Sequence, residues 1–367
     1  MEKIKIPFLD LRSEYLFLKK EIDKALEEVL LSGRFILGPN VEAFEKEFAS
    51  YIGCKYAIGV ASGTDALVLA LHCLNLPKGS EVILQSFTFI AVADSVVRNG
   101  LKPVFCDIDK RSYNLDVKKI KEAINEKTKA IIVNHMYGLP AEIEEIIEIA
   151  ESKGLWVIED CSHAHGALYK NKKVGNFGHI ACFSLYPAKI LGAYGDGGII
   201  TTNIEEFNEK LRMLRNYGQK VKYYHEMVGY NSRLDEIQAA ILRVKLKYLD
   251  DFIKARRKIA KIYRETLTNN VVLQEEPDHV VHSYGYFVIA TKRRDELHDY
   301  LNKKGIETII HYPLPIHLQK SYKDFSTYNL PNTEEACKTV LSLPIHPFLK
   351  EEEVNYIVNS INEYFKQ

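Results

Sequence analysis

"LWVIEDCSHAHGALYKNKKVGNFGHIACFSLYPAKILGAYGDGGIITT", residues 155 to 202, holds three short apolar runs set among turns rich in glycine, histidine and serine. LWVIED (155–160), IACFS (180–184) and GIITT (198–202) are short, rich in branched aliphatics and apolar almost throughout. Strands covered on both faces read this way. Working outward, KYAIGV (55–60), EVIL (81–84), KPVFC (102–106) and KAIIV (129–133) have the same character, which makes seven candidate strands. Between them TDALVLALHCLNL, FIAVADSVVRNG, DVKKIKEAINEKT and AEIEEIIEIAESKG show helical spacing, the last three closing on glycine or a polar turn. Strand and helix alternating in this manner predict an α/β fold with a mostly parallel, doubly wound sheet. Its ligands belong beyond the carboxyl ends of the strands.

After residue 230 the pattern changes. NSRLDEIQAAILRVKLKYLDDFIKARRKIAKIYRETL reads as one long helical stretch, and the remainder mixes a strand-like YGYFVIAT with helical RRDELHDYLNKKG and EEEVNYIVNSINEYF. A large domain over residues 1–245 and a smaller α+β domain over 246–367 follow, a size split natural for 367 residues.

Composition excludes several classes. The apolar share of 46% and charged share of 27% are those of an ordinary globular protein. Lys plus Arg and Asp plus Glu both number 49, so no bulk charge draws the chain to nucleic acid or to an anionic membrane. MEKIKIPFLDL lacks the apolar core of a signal peptide and no run is long enough to span a bilayer, which predicts a cytoplasmic protein. The six cysteines are scattered with no CxxC spacing, so neither a disulfide framework nor a zinc knuckle is expected.

The polar residues at the predicted strand ends carry the chemistry. Ser62, Gly63 and Thr64 lie between a strand and a helix, where free N–H groups and the helix dipole favour an anion, though an N-cap serine needs no ligand. Asp160 ends an apolar strand, and a carboxylate there needs a facing cation or donor. His163 and His165, with Glu159 or Asp160, are too few to argue a metal site without cysteines placed to join them, and His311 and His317 fare no better. Lys189 stands between a buried-looking strand ending at Ser184 and a glycine-rich segment, outside any charged run, as a Schiff-base lysine would. One cofactor explains this order: pyridoxal phosphate needs an anion cradle, a carboxylate for its ring nitrogen and a lysine.

These stretches, together with IPFLDL, GRFILGPNVEAFEKEFA, SFTFIAVADSV, VNHMYGLPAEIEEI, LRNYG, GYNSRLDEIQAAIL and IHYPLPIHLQ, give the chain a resemblance over nearly its whole length. It resembles the sugar aminotransferases of the DegT/DnrJ/EryC1/StrS group, which have the aspartate-aminotransferase-like fold. The resemblance implies that Lys189 forms the imine with pyridoxal phosphate and Asp160 partners its ring nitrogen. Gly63, Thr64 and Ser184 match phosphate contacts, and Asn231 matches an asparagine that reaches the phosphate from the neighbouring subunit of a homodimer. Phe89 falls where a ring lies against one cofactor face, Ser162 near the other, and His163 where the phenolic oxygen is bonded. Gln85, Ala188 and Ile190 depart from the usual residues, the last two at the expected substrate-side wall.

The implied reaction moves an amino group from L-glutamate to carbon 3 of a dTDP-3-oxo-6-deoxyhexose, with the gluco form favoured, on the way to a 3-amino-3,6-dideoxy sugar. Tyr186, His311, Tyr312 and His317 are the candidates for the sugar side. Carbon-4 amination is the alternative. A pyridoxamine-phosphate dehydratase has histidine at the lysine position, and a silent regulatory relative should have lost Lys189 or Asp160, so both are disfavoured.

Overall fold

The computed structural model describes residues 5–325 and 328–366. All seven candidate strands form and join one sheet: β1 (Tyr56–Val60), β2 (Glu81–Gln85), β3 (Lys102–Cys106), β4 (Thr128–Asn134), β5 (Trp156–Asp160), β6 (Ile180–Ser184) and β7 (Gly198–Thr202), in the order β1-β7-β6-β5-β4-β2-β3. The neighbours from β6 through β5, β4 and β2 to β3 run parallel. Only β7 is antiparallel, pairing with β1 on one side and β6 on the other.

The continuous apolar character of the strands has its cause in the two layers they separate. Alternate side chains point to opposite faces. Ile58, Ile132, Cys182 and Ile200 join a cluster with α3 (Gly63–Cys73), α4 (Ala91–Arg98) and α7 (Glu205–Leu214). Ala57, Phe183 and Ile199 face a second cluster with α2 (Pro39–Ile52) and α8 (Glu236–Leu246), while Ile131, Val133 and Val157 face a third with α5 (Val117–Ala123) and α6 (Ile143–Lys153). No face of the sheet is left to solvent along these strands, so no polar alternation is needed.

The long helical stretch expected over 231–267 is two helices, α8 and α9 (Leu249–Thr266), broken at Lys247–Tyr248. The apolar spacing continues across the break, which is why periodicity alone reads it as one. Beyond it, β8 (Val272–Leu273), β9 (Phe287–Ala290) and β10 (Val340–Leu343) form an antiparallel sheet in that order. Helices α10 (Arg294–Lys303) and α11 (Glu351–Tyr364) share an apolar cluster with this sheet and with Ile259 and Tyr263 of α9. Ile6 pairs with Ile306 and packs into the same cluster. The six cysteines are free, five of them buried. Among the described residues no helix is long and apolar enough to cross a membrane.

Two buried histidines of this second body set an acid limit. Burial, before any other cause, pushes His282 down to about 3 and His346 to about 4. In the unfolded chain each would take a proton near pH 6.5, so the unfolded state binds more protons below that value. Stability is therefore complete above about pH 6.5 and is lost as pH falls towards the folded values, by about 1.4 kcal/mol per pH unit for each histidine. Urea unfolding at pH 7.5, 6 and 5 should show a falling midpoint before carboxylates begin to titrate, and a flat midpoint across that window would contradict it.

Candidate active site

The carboxyl ends of β4, β5 and β6 open into a cavity of about 670 Å³, the size range of sites for small organic ligands. On β5 the adjacent acids separate by strand alternation. Glu159 points away from the cavity and is fully buried, accepting from His135 Nε2 at 3.0 Å and from the N–H groups of Gly175, Phe177 and Gly178 at 2.8, 2.8 and 2.7 Å. Burial opposes its ionisation, but the bonds from His135, Gly175 and Gly178 prevail and hold it below the usual carboxylate range. With four donors already on its two oxygens, Glu159 has no lone pair left for the metal that it, His135 and Cys161 could together approach.

Asp160 turns into the cavity. Asn134, its register partner at the end of β4, donates from Nδ2 to Oδ2 at 2.6 Å, and the Ser162 N–H donates to Oδ1 at 3.1 Å. Asn134 Nδ2 also reaches Thr88 Oγ1 at 3.1 Å, while its Oδ1 is buried at the cavity wall with no protein partner.

The anion cradle is built by close contact. Ser62 caps α3 by accepting from the Asp65 N–H at 3.1 Å, which leaves the Gly63 and Thr64 N–H groups without intrahelical acceptors. A Cβ on Gly63 would stand 2.6 Å from Ser184 Cβ, so only glycine lets the start of α3 meet the end of β6. Ser162 Oγ accepts from the Ser184 N–H at 3.1 Å and ties the β5 and β6 ends together. Lys189 enters on the loop after β6, its Nζ 5.7 Å from the centre of the Tyr286 ring.

The second body closes the cavity with Tyr286, Ile309, His311 and Tyr312. His311 Nδ1 lies 2.9 Å from Ser342 Oγ of β10, and its carbonyl accepts from the Tyr137 hydroxyl. His163 stacks on Tyr137 with centroids 6.3 Å apart, meets Tyr286 edge-on at 4.8 Å, and faces the Tyr312 hydroxyl with Nε2 at 3.4 Å. Its Nδ1 accepts from the Tyr137 N–H at 3.4 Å, which assigns the ring proton to Nε2. Burial, then the nearby Lys189, push His163 well below its ordinary value, and the same two causes bring His311 to about 4. Both shifts favour the neutral ring.

Of the candidates, Gly63, Thr64, Phe89, Asp160, Ser162, His163, Ser184, Tyr186, Lys189, His311 and Tyr312 all line this cavity. Two do not. His317 is fully buried elsewhere, with Nδ1 2.8 Å from Ser86 Oγ and its own N–H donating to that same oxygen at 3.0 Å, so it is a core histidine. Asn231 is exposed, bridged to Asn216 outside the cavity. Ala188 is at the wall as expected, whereas Ile190 turns into the apolar cluster beneath it. Thr88, Asn134, Asp196 and Tyr286 were missed. The strand-end rule that singled out Asp160 applies equally to Asn134, while Tyr286 has no local signal.

Pyridoxal phosphate fits this donor set: a helix start for the phosphate, a buried carboxylate for a ring nitrogen, a lysine amine on the same cavity, and the flat ring of Phe89 on its wall. In a Gly63→Ala variant the methyl group would force α3 and Ser184 apart. Titration with pyridoxal phosphate, followed by absorbance, should give a dissociation constant at least about tenfold weaker, a loss of about 1.4 kcal/mol, with the circular dichroism of the fold kept. Native affinity in that variant would remove Gly63 from the cradle.

The model of the DegT/DnrJ/EryC1/StrS aminotransferase family matches residues 17–362. A "dTDP-3-amino-3,6-dideoxy-alpha-D-galactopyranose transaminase" of Aneurinibacillus thermoaerophilus is 47% identical over 98% of this chain and 99% of its own. A "pleiotropic regulatory protein" of Geobacillus stearothermophilus is 46% identical over the same shares. The crystal structure of S. venezuelae DesV in complex with a ketimine intermediate superposes with a TM-score of 0.97 at 41% identity, covering 99% of both chains. With the family's cofactor and fold both matched by the cavity, the chain belongs to the DegT/DnrJ/EryC1/StrS aminotransferases, pyridoxal-phosphate-dependent enzymes that aminate sugars.

Proposed function

We propose that the protein transfers an amino group from L-glutamate to carbon 3 of a dTDP-3-oxo-6-deoxyhexose. The observation that carries the reading is the meeting of Asp160, Lys189 and the Gly63–Thr64 helix start on one cavity. Nucleotide-linked keto sugars are the substrates of the family, and the 47% identical relative is named for a 3-amino product. Carbon 3 rests on that name. The gluco preference rests on overall resemblance, and the same relative is named for the galacto product.

Pyridoxal phosphate, when bound, supplies an electron sink beside the carbon that exchanges its proton. Gly63, Thr64 and Ser184 would hold its phosphate, and Phe89 and Ser162 would flank its ring. Asp160, fixed by Asn134 and Ser162, would keep the ring nitrogen protonated. His163, neutral and with its proton on Nε2, would donate to the phenolic oxygen. Lys189 Nζ would carry the proton between the exchanging carbon atoms, acting as base and then acid. Tyr186, His311 and Tyr312 line the same cavity, Tyr186 being the exposed one of the three, and would meet the sugar. Residues 1–245 would form the cofactor-binding unit and 246–367 the smaller one, with Ile6 docked on the latter.

The purified enzyme with glutamate and each of the 3-oxo gluco, 3-oxo galacto and 4-oxo dTDP-hexoses should aminate a 3-oxo sugar fastest. Asp160→Asn should lower that turnover about a thousandfold, near 4 kcal/mol of transition-state stabilisation. Preference for the 4-oxo sugar would overturn carbon 3, and near-native turnover in the variant would remove Asp160 from the ring nitrogen.

A homodimer is part of this reading. Phe17, Leu30, Leu31, Phe35 and Ile36 are exposed on and just after α1 (Leu11–Ser32), and Tyr223, Tyr224 and Val228 near the hairpin of 219–225. Asn231, lying outside its own chain's cavity, would complete the phosphate cradle of the partner. Mixed dimers of Lys189→Ala and Asn231→Asp chains would then hold one site with both native groups and one with both changes. Activity at limiting cofactor should exceed that of either parent. No recovery despite confirmed subunit exchange and an impaired Asn231→Asp homodimer would place Asn231 within its own site.

A further inference from the structure

Lys245 is a buried cation that the chemistry above leaves unused. Its side chain is 0% exposed, at the last turn of α8, and its Nζ lies 2.5 Å from Glu14 Oε1 of α1. The same Nζ donates to the carbonyl of Gly192 at 2.5 Å and stands 5.1 Å from the centre of the Tyr194 ring. Holding α1 to α8 does not require a charge, because Leu18 and Ile22 of α1 and Ile241 and Val244 of α8 already share one apolar cluster. Burying an ammonium and a carboxylate for that purpose alone would cost more than an apolar pair of the same size. What the ammonium adds is a donor aimed at the loop that carries Lys189.

That loop is closed at several points. The Leu185 N–H donates to Gly197 O at 2.8 Å and the Ala193 N–H to Leu185 O at 2.7 Å, folding residues 185–193 back on themselves. Gly192 lies so close beneath Pro187 that a Cβ on it would stand 2.5 Å from the Pro187 carbonyl oxygen. The Lys189 N–H donates to Tyr186 O at 2.9 Å. A second side chain of α8 grips the same loop: Gln238 Oε1 accepts from the Tyr194 N–H at 2.9 Å, and its Nε2 donates to Tyr194 O at 3.4 Å. Ile190, Leu191 and Ala193 pack on Ala239 and Leu242 of the same helix. Polar grips at Gly192 and Tyr194 thus fix the far limb of the turn whose near limb begins at Ser184.

We propose that Lys245, neutralised by Glu14, is a positioning residue that sets the height of the Lys189 loop against the cavity, with Gln238 as its second fastening. The inference rests on the cofactor-bearing role of Lys189 proposed above. The groups facing Lys189 are His163 and His165 after β5, His311 from the second body, and the Tyr286 ring. Lys245 and Glu14 are faced in turn by the buried Arg256 of α9, which donates to the carbonyls of Tyr284 and Ile345 and is left in place in the variants below.

The test uses full-length protein loaded with pyridoxal phosphate. Glu14→Gln/Lys245→Met removes the ion pair as a unit while Arg256 keeps its carbonyl acceptors, and Gln238→Met loosens Tyr194 without touching a charge. Three quantities are read: the thermal midpoint of the cofactor-free protein, the pH midpoint of the visible-edge absorbance band in the absence of substrate, and kcat against KM. Thermal midpoints should stay within about 4 °C of native. Both variants should move the pH midpoint of the band by about half a unit or more, and should lower kcat about tenfold with KM within about twofold. If the double variant does not fold, Gln238→Met decides by the same two readings. A native pH midpoint and native kcat in the folded variants would overturn the proposal and leave Lys245 a staple between helices. Absence of the band in the native protein would instead strike the cofactor-bearing role of Lys189.

Discussion

A carboxylate that never meets the cavity sets the frame for those that do. Glu159 accepts four hydrogen bonds at the end of β5, one from His135 at the end of β4 and three from backbone N–H groups of residues 175–178. His135 Nδ1 in turn accepts from the Ala141 N–H at 3.0 Å, so the segment leading into α6 is fastened to the same carboxylate. Buried charge of this kind persists only when every lone pair is used. Once Glu159 is fixed, strand alternation leaves Asp160 no direction except the cavity. The placement of the second acid is a consequence of the satisfaction of the first.

This dependence explains what could be read from the chain and what could not. Seven strands were legible because both faces of the sheet are covered, so IACFS and KAIIV carry no polar interruption. Asp160 and Lys189 stood out as charged residues beside such runs, and both line the cavity. Asn134 was not, since its meaning lies in a 2.6 Å bond to a residue on the neighbouring strand, 26 positions away. Tyr286 comes from 126 positions beyond Asp160, brought in by packing with Phe87 and Tyr137 that no local pattern records. His317 misled for the opposite reason: IHYPLPIHLQ puts it six residues from His311, but the chain turns there and delivers it to Ser86 instead of the cavity. A helix break such as Lys247–Tyr248 costs the apolar stripe nothing and leaves no trace in its spacing.

The charge state of the cavity follows from the same packing. His163, His165 and His311 all face Lys189, and each is driven down by burial first and by that lysine second. Three imidazolium groups there would repel a lysine ammonium and compete with it for any anion. Kept neutral, His163 and His311 offer one donor and one acceptor each without adding charge, so attraction for an anion is concentrated at Lys189 and at the α3 start.

The single antiparallel strand gives that arrangement its geometry. A parallel successor to β6 would begin at the opposite edge of the sheet, and the connection would have to cross a full layer, as a helix does from β1 through to β5. Lys189 would then leave the cavity edge within a few residues. Because β7 runs back beside β6, with Ser184 opposite Gly198, both ends of residues 185–197 lie at the carboxyl edge of the sheet. The loop has no layer to cross. Its length is spent instead on the return through Gly192, and the start of β7 lies so close to α3 that a Cβ on Gly198 would stand 2.3 Å from the Ser62 carbonyl oxygen. Lysine and anion cradle are thus brought to one cavity by a reversal of one strand's direction, and α8, packed along the loop from behind, keeps the lysine there.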